Sequence, residues 1–165
     1  MSESEFVSLI VRFAESPFPA VSRRHVYLWH GDLGRLLAAI PAVARRRLDL
    51  HALAGTLPRA PYALDEARQL LRRAVQQQLD ELREPGRQQI LVVTGTDLLS
   101  RYRVPLAPFL AAASEHLLVI LVVSASETAF ESSLSLPDYV SLNTGAPLEY
   151  LLGALDQPSA VVRAE

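Results

Sequence analysis

The run Leu117–Val123 (LLVILVV) contains no polar residue and is rich in β-branched side chains. Two similar runs precede it, His25–Trp29 (HVYLW) and Ile90–Thr94 (ILVVT). Apolar runs that do not alternate with polar residues are typical of strands buried on both faces of a parallel sheet. Weaker strand candidates lie at 48–52 and 139–142. The sequence therefore predicts a sheet of five strands.

Helical patterns separate the predicted strands, and we expect helices over residues 3–14, 33–47, 64–84, 105–116 and 148–155. Strands that alternate with helices predict an α/β fold with a doubly wound, mostly parallel sheet. With helices on both faces, this sheet would form a P-loop-like or Rossmann-like three-layer sandwich. No repeat or linker interrupts the pattern, so we expect residues 1–165 to form a single α/β domain.

The composition excludes several chemistries. The chain has no cysteine, which excludes disulfides and thiolate ligands or nucleophiles. All 16 of its Lys and Arg residues are arginine, so no lysine can form a Schiff base or bind phosphates. The acidic N-terminus is unlike a signal peptide, and no apolar run approaches the roughly 20 residues of a membrane span. We therefore expect a cytoplasmic protein that does not enter the membrane.

The first strong strand ends in Trp29–Arg35 (WHGDLGR). In a nucleotide-binding domain this turn would carry GxxxxGK[ST], whose amides, lysine and hydroxyl hold phosphates and Mg²⁺. The lysine and the hydroxyl residue are missing, and Asp32 places a negative charge where phosphates would lie. The sequence therefore predicts that Gly31 forms the turn and that Asp32 caps a helix. Arg35 is the one residue of this turn suited to contact an anion.

The strand Ile90–Thr94 ends in Thr94-Gly95-Thr96-Asp97. An ATPase strand at this place would end in an aspartate that holds Mg²⁺. Thr94 and Gly95 stand there instead, and Asp97 is predicted to cap the short helix that follows. These substitutions argue against nucleotide hydrolysis by the usual mechanism, and we predict no cofactor and no metal site.

Other side chains at the strand ends leave an enzyme as the alternative. His30 and His51 would both lie near the carboxyl edge of the sheet, where Asp32 could complete a hydrolytic or metal site, although the four histidines show no metal-ligand spacing. Asp97 and Ser124 also follow strands directly. A hydrolase or transferase would require His30, Asp32, Asp97 and Ser124 to converge within hydrogen-bonding reach.

Most of the arginines lie in clusters that the 18 acidic residues balance. Arg101-Tyr102-Arg103 differs, because it lies just beyond a strand end in a loop before Pro105. Arginine beside an aromatic ring can bind a phosphate backbone or stack on a base. We predict contacts with a partner or an anion at Arg101, Tyr102 and Arg103, and a nucleic-acid-binding module is the second alternative.

The segment Ile90–Val104 (ILVVTGTDLLSRYRV), followed by a helix and the strand Leu118–Val123, resembles the small accessory proteins of bacteriophage exclusion (BREX) systems. It looks most like the BrxB group, in which an apolar strand ending in Thr-Gly leads to a helix and a second apolar strand. The P-loop accessory BrxF is similar in size and layout, but this chain lacks its phosphate loop.

The resemblance implies an anti-phage defence component that acts in a complex with a DNA methyltransferase and large ATPases. It supplies no catalytic residues. We therefore predict a non-catalytic accessory or adaptor protein, built on a P-loop-like domain without phosphate- and metal-binding residues. Its partners would be other protein subunits, and any contact with nucleic acid would be indirect.

Overall fold

The computed structural model describes residues 1–15, 26–83, 86–123 and 150–153, together with the backbone of residues 161–163. The helices and strands, in chain order, are α1 (Glu3–Glu15), β1 (Val26–His30), α2 (Leu33–Ala39), β2 (Arg45–Asp49), the 3-10 helices η1 (Leu50–Thr56) and η2 (Pro61–Ala63), α3 (Leu64–Glu81), β3 (Gln89–Thr94), α4 (Asp97–Arg101), α5 (Ala107–Ala112), β4 (Leu117–Val123) and β5 (Val161–Arg163). Residues 150–153 are helical.

Four strands form an all-parallel sheet in the order β2-β3-β4-β1. The three-residue β5 pairs in parallel with the other side of β1, where Leu28 lies opposite Val161. The predicted α/β class and parallel sheet are therefore confirmed. The fifth strand expected at 139–142 lies outside the described residues.

Helices cover both faces of the sheet because β4 supplies apolar side chains to both. Leu117, Val119, Leu121 and Val123 face a core formed with α3, α4 and α5. The alternate residues Leu118, Ile120 and Val122 face a second core formed with α1 and α2. This division follows from the two-residue period of a strand.

The region 33–52 differs from its prediction. Helix α2 ends at Ala39 rather than at residue 47, because Pro41 cannot continue a helix and forces an extended backbone on Ile40. The strand predicted at 48–52 lies three residues earlier, at Arg45–Asp49, and residues 50–56 form η1 instead. Three consecutive arginines make this strand hard to recognise from the sequence, because an edge strand, with a single neighbour among the described strands, can carry polar residues.

Strands β1 and β4 are adjacent and parallel, so their carboxyl ends lie side by side at one edge of the sheet. In α/β proteins, ligands commonly bind outside the carboxyl ends of the strands. Within the described part of the chain, no helix is both long and apolar enough to cross a membrane.

Candidate functional site

In the turn after β1, the Asp32 carboxylate accepts a hydrogen bond from a backbone amide at the start of α2. Asp32 caps α2, as predicted, and its Oδ1 accepts a hydrogen bond from the Arg35 amide at 2.8 Å. The Trp29 indole donates to the Asp32 carbonyl at 3.1 Å, which fixes the turn to the core. The Arg35 side chain pairs with Glu3 of α1 at 2.7 Å. The amide at the start of α2 and the Arg35 guanidinium therefore both already contact carboxylates.

The turn after β3 packs directly against the residues that follow β2. Gly95 has φ = 72°, in the left-handed region that favours glycine. A Cβ atom on Gly95 would lie 2.7 Å from the His51 amide nitrogen and 2.8 Å from its Cδ2. The Thr96 hydroxyl donates to the buried Val122 carbonyl at 2.6 Å, which joins this turn to the end of β4.

His51 and Asp97 form the shortest polar contact among the described residues at this edge. His51 Nε2 donates to Asp97 Oδ1 at 2.5 Å, which joins the start of η1 to the start of α4. Both side chains are partly exposed, at 31% and 23%. The prediction that Asp97 caps α4 is wrong: Thr96 occupies the cap position without a side-chain hydrogen bond, and the Asp97 carboxylate turns toward His51.

Arg101 lies on the other side of the Asp97 carboxylate. Its Nε is 3.9 Å from Asp97 Oδ2, and its side chain is only 10% exposed. Burial lowers the pKa of the Arg101 guanidinium, and the negative charge of Asp97 opposes this shift. The Asp97 carboxylate therefore lies between the His51 imidazole and the Arg101 guanidinium.

Asp49 extends the contacts to the end of β2. Its Oδ1 accepts from the His51 amide at 3.1 Å and from the Thr94 hydroxyl at 3.2 Å. We call Asp49, His51, Thr94, Asp97 and Arg101 the strand-end cluster. Its hydrogen bonds link the carboxyl ends of β2 and β3. Among the described residues, no group of three or more His, Asp or Glu side chains is arranged to hold a metal ion.

The other predicted histidines do not join this cluster. His30 ends β1 opposite Val123, and β4 separates it from β3, so about 10 Å of sheet lies between His30 and the end of β3. His116 lies at the opposite end of β4, where its Nδ1 donates to Gln88 Oε1 at 2.6 Å. The structure thus brings Asp97 to His51 but not to His30 or Asp32, and Ser124 lies outside the described residues.

The Arg101-Tyr102-Arg103 segment forms the bend between α4 and α5. Tyr102 is fully buried in the core, whereas Arg103 is exposed and has φ = 50°. The Tyr102 carbonyl accepts from Arg68 Nε at 2.8 Å, and the Val104 carbonyl accepts from the Tyr150 hydroxyl at 2.7 Å. Burial raises the pKa of Tyr150, although Arg103 and Arg68 oppose this shift. Of the three predicted contact residues, Arg103 alone presents an exposed side chain.

Sequence reasoning missed the His51–Asp97 contact because it placed β2 three residues too late. With β2 ending at Asp49, both His51 and Asp97 follow the ends of adjacent parallel strands. Side chains at such positions meet at the same edge of the sheet. The sequence therefore contained the information needed to predict the His51–Asp97 contact, but only if β2 was placed correctly.

Comparison with known proteins gives no further assignment: no protein-family model, curated protein or solved structure matches this chain.

Replacement of Gly95 by alanine is expected to destabilise the protein. The left-handed backbone alone costs a residue with a Cβ atom about 1–3 kcal/mol, and the contact with His51 adds to this cost. Urea unfolding of Gly95→Ala would measure the loss. Gly55→Ala is the matched control, because a Cβ on Gly55 meets nothing within 4 Å. Equal stability of the two variants would contradict the proposed close packing.

Replacement of Asp97 by asparagine keeps the shape of the side chain but removes its charge. We expect a loss of about 1–2 kcal/mol of unfolding free energy, because hydrogen bonds to a charged, partly buried group contribute more than exposed pairs. Asp65→Asn is the control, since the Asp65 side chain is 90% exposed beside Arg68. In a double-mutant cycle, Asp97→Asn should couple with His51→Gln. Additive effects would show that this contact does not hold the two strand ends together.

Proposed function

We propose that this chain is a non-catalytic accessory subunit, built on a P-loop-like α/β domain, which acts by binding other proteins of a complex in the cytoplasm. The observation that carries the proposal is the Asp32 carboxylate on the first turn of α2. At that place a working P-loop would present free amides to phosphates.

The position of β1 supports the P-loop-like part of the proposal. This strand lies inside the sheet, between β4 and β5, and runs through Gly31 and Asp32 directly into α2. A strand, a glycine-containing turn and a helix in immediate succession form the framework of a phosphate loop. This chain has the same succession of elements, but it has no lysine or hydroxyl residue in the turn, and a carboxylate accepts from the helix amide.

The end of β3 supports the non-catalytic part. Thr94 donates to Asp49, Gly95 packs against His51, and Thr96 donates to Val122. A carboxylate that held Mg²⁺ would have to project from this turn toward the end of β1. Asp97 projects instead toward His51, just beyond the end of β2, and also lies beside Arg101.

The proposed setting is anti-phage defence, and it rests on the resemblance of residues 90–104 and the following helix and strand to BREX accessory proteins. In that setting the partners would be protein subunits such as a DNA methyltransferase or a large ATPase. An adaptor subunit in such a complex needs exposed binding surfaces rather than a reactive centre.

The His51–Asp97 contact is the one observation that favours the enzyme alternative. A carboxylate that holds an imidazole in one tautomer is the supporting part of many acid–base sites. The Arg101 guanidinium also pairs with the Asp97 carboxylate. We therefore assign the His51–Asp97 contact a structural role rather than a role in proton transfer.

The first test of the proposal is affinity purification of the tagged chain from its native host, at native levels and low salt. We expect mass spectrometry to identify a stable partner from a neighbouring operon, a methyltransferase or a large ATPase. Recovery of the chain alone would overturn the adaptor function and would direct the search to a small ligand at the strand ends.

The Asp32 cap in the turn after β1 leads to a second prediction. Isothermal titration of the chain with Mg-ATP should give no saturable binding up to about 1 mM, because Asp32 repels phosphate and no lysine compensates it. The variant Asp32→Asn keeps the helix cap but removes the charge. Saturable binding by the wild-type chain would show that the loop still works as a nucleotide site.

A further inference from the structure

Among the described strands, β2 is an edge strand, and no described strand pairs with its backbone groups on the side away from β3. In the β2–β3 ladder the Ile90 amide donates to the Ala44 carbonyl at 2.8 Å, and Arg45 lies opposite Ile90. In a parallel pair the bonding residues alternate. Arg46 and Leu48 therefore direct their backbone groups toward β3, whereas Arg45 and Arg47 direct theirs outward.

Some of the backbone groups on this outer edge already form hydrogen bonds within the chain. The outward amide of Arg45 donates to the Pro41 carbonyl at 3.1 Å, and its outward carbonyl accepts from Arg46 Nη1 at 2.9 Å. No hydrogen bond within the described part of the chain reaches the outward amide or carbonyl of Arg47. The open part of the edge therefore begins at Arg47.

The same edge carries three arginines that pair with no carboxylate among the described residues. Arg45, Arg46 and Arg47 are absent from every ion pair between described residues, although the chain has 18 acidic residues for 16 arginines. Arg45 donates instead to the Leu37 carbonyl at 2.9 Å, and Arg46 to backbone carbonyls. The Arg47 side chain is exposed. Two of the guanidinium groups are thus held in place at the edge, and the third extends into solvent.

These observations favour one of three kinds of molecule that could bind an open sheet edge. A second copy of β2 would bring arginine against arginine, and like charges on paired strands are destabilising. Nucleic acid would use the charges but not the backbone groups, and Asp49 on the same strand would repel its phosphates. An extended peptide that carries acidic side chains would use both features, since it can add a strand to the sheet and pair with the arginines.

We propose that β2 is a docking edge for an extended acidic segment of a partner protein, which joins the sheet beside Arg47 by strand addition. This inference rests on the proposed adaptor function. The acidic residues of the partner face Arg45, Arg46 and Arg47, and neutral or basic residues face Asp49. Charged residues on a border strand also prevent aggregation. Here the same charges exclude a second copy of the chain and admit an acidic strand.

The test uses the full chain in the native-host purification, with three substitutions of Arg47. Arg47→Gln removes the charge, Arg47→Glu reverses it, and Arg47→Pro also removes the outward amide at a place where a border strand tolerates proline. Arg72→Glu combined with Arg73→Glu is the matched control, since both arginines are exposed on α3. Circular dichroism and thermal unfolding confirm that each variant is folded.

Synthetic peptides that tile the partner recovered with the wild-type chain then locate the bound segment by fluorescence anisotropy. We expect an acidic peptide whose affinity falls about tenfold or more with Arg47→Glu, less with Arg47→Gln, and remains unchanged in the α3 control. Arg47→Pro should weaken binding more than Arg47→Gln, because it also removes a backbone hydrogen bond. If Arg47→Pro does not fold, replacement of the peptide's acidic residue by lysine should restore binding to Arg47→Glu.

The outcomes separate the two proposals. Failure to recover any partner with the wild-type chain overturns the adaptor function itself. Recovery of the same partner by the wild-type chain and by Arg47→Glu overturns only the proposal that β2 is a docking edge. The arginines would then serve only to prevent aggregation through this edge. Stronger binding of a 20-nucleotide DNA or RNA than of any peptide, lost in Arg47→Glu, would replace the acidic strand with nucleic acid.

Discussion

Burial of β3 and β4 on both faces is the constraint on which the rest of the structure depends. Every residue of both strands is buried. Burial of a large aliphatic side chain contributes about 1.5–3 kcal/mol, so these strands supply much of the stabilisation of the domain. Their backbone groups have no access to water and must pair with β1 and β2. The centre of the sheet therefore leaves only the strand ends and the borders for contacts with other molecules.

The strand ends of this chain are used largely for contacts within the chain. The carboxyl edge contains a helix cap at Asp32, a glycine pressed against His51, and a hydroxyl that donates to the end of β4. The cap and the hydroxyl each satisfy a polar group that a ligand would otherwise bind, and the glycine contact leaves no space beside His51. A ligand at this edge would have to displace them, and leaving such groups unpaired is costly. This distribution favours a protein that binds partners through its outer surfaces.

The sequence predicts the interior of this fold better than its border. The runs that became β1, β3 and β4 were recognisable because strands buried on both faces are continuously apolar. The prediction placed β2 wrongly because this strand carries arginine on both faces and has one neighbour among the described strands. Pro41 was a readable helix stop that the helical pattern around it obscured. The error moved the strand end, so the contact between His51 and Asp97 could not be anticipated, whereas the Asp32 cap depended only on local sequence.

The choice of arginine on β2 has a physical consequence for binding. A guanidinium has five donors in a planar fork, so it can donate to a backbone carbonyl and still present charge and free N–H groups to a carboxylate. Arg45 donates in this way to the Leu37 carbonyl, and Arg46 donates to the carbonyls of Val43 and Arg45. Side chains held in this way lose less conformational freedom when a partner arrives, which reduces the entropic cost of association. An ammonium group lacks this planar fork, and this lysine-free chain places none on the edge. The arginines of β2 therefore combine local support of the border strand with a charge that is already positioned for the acidic partner that we propose.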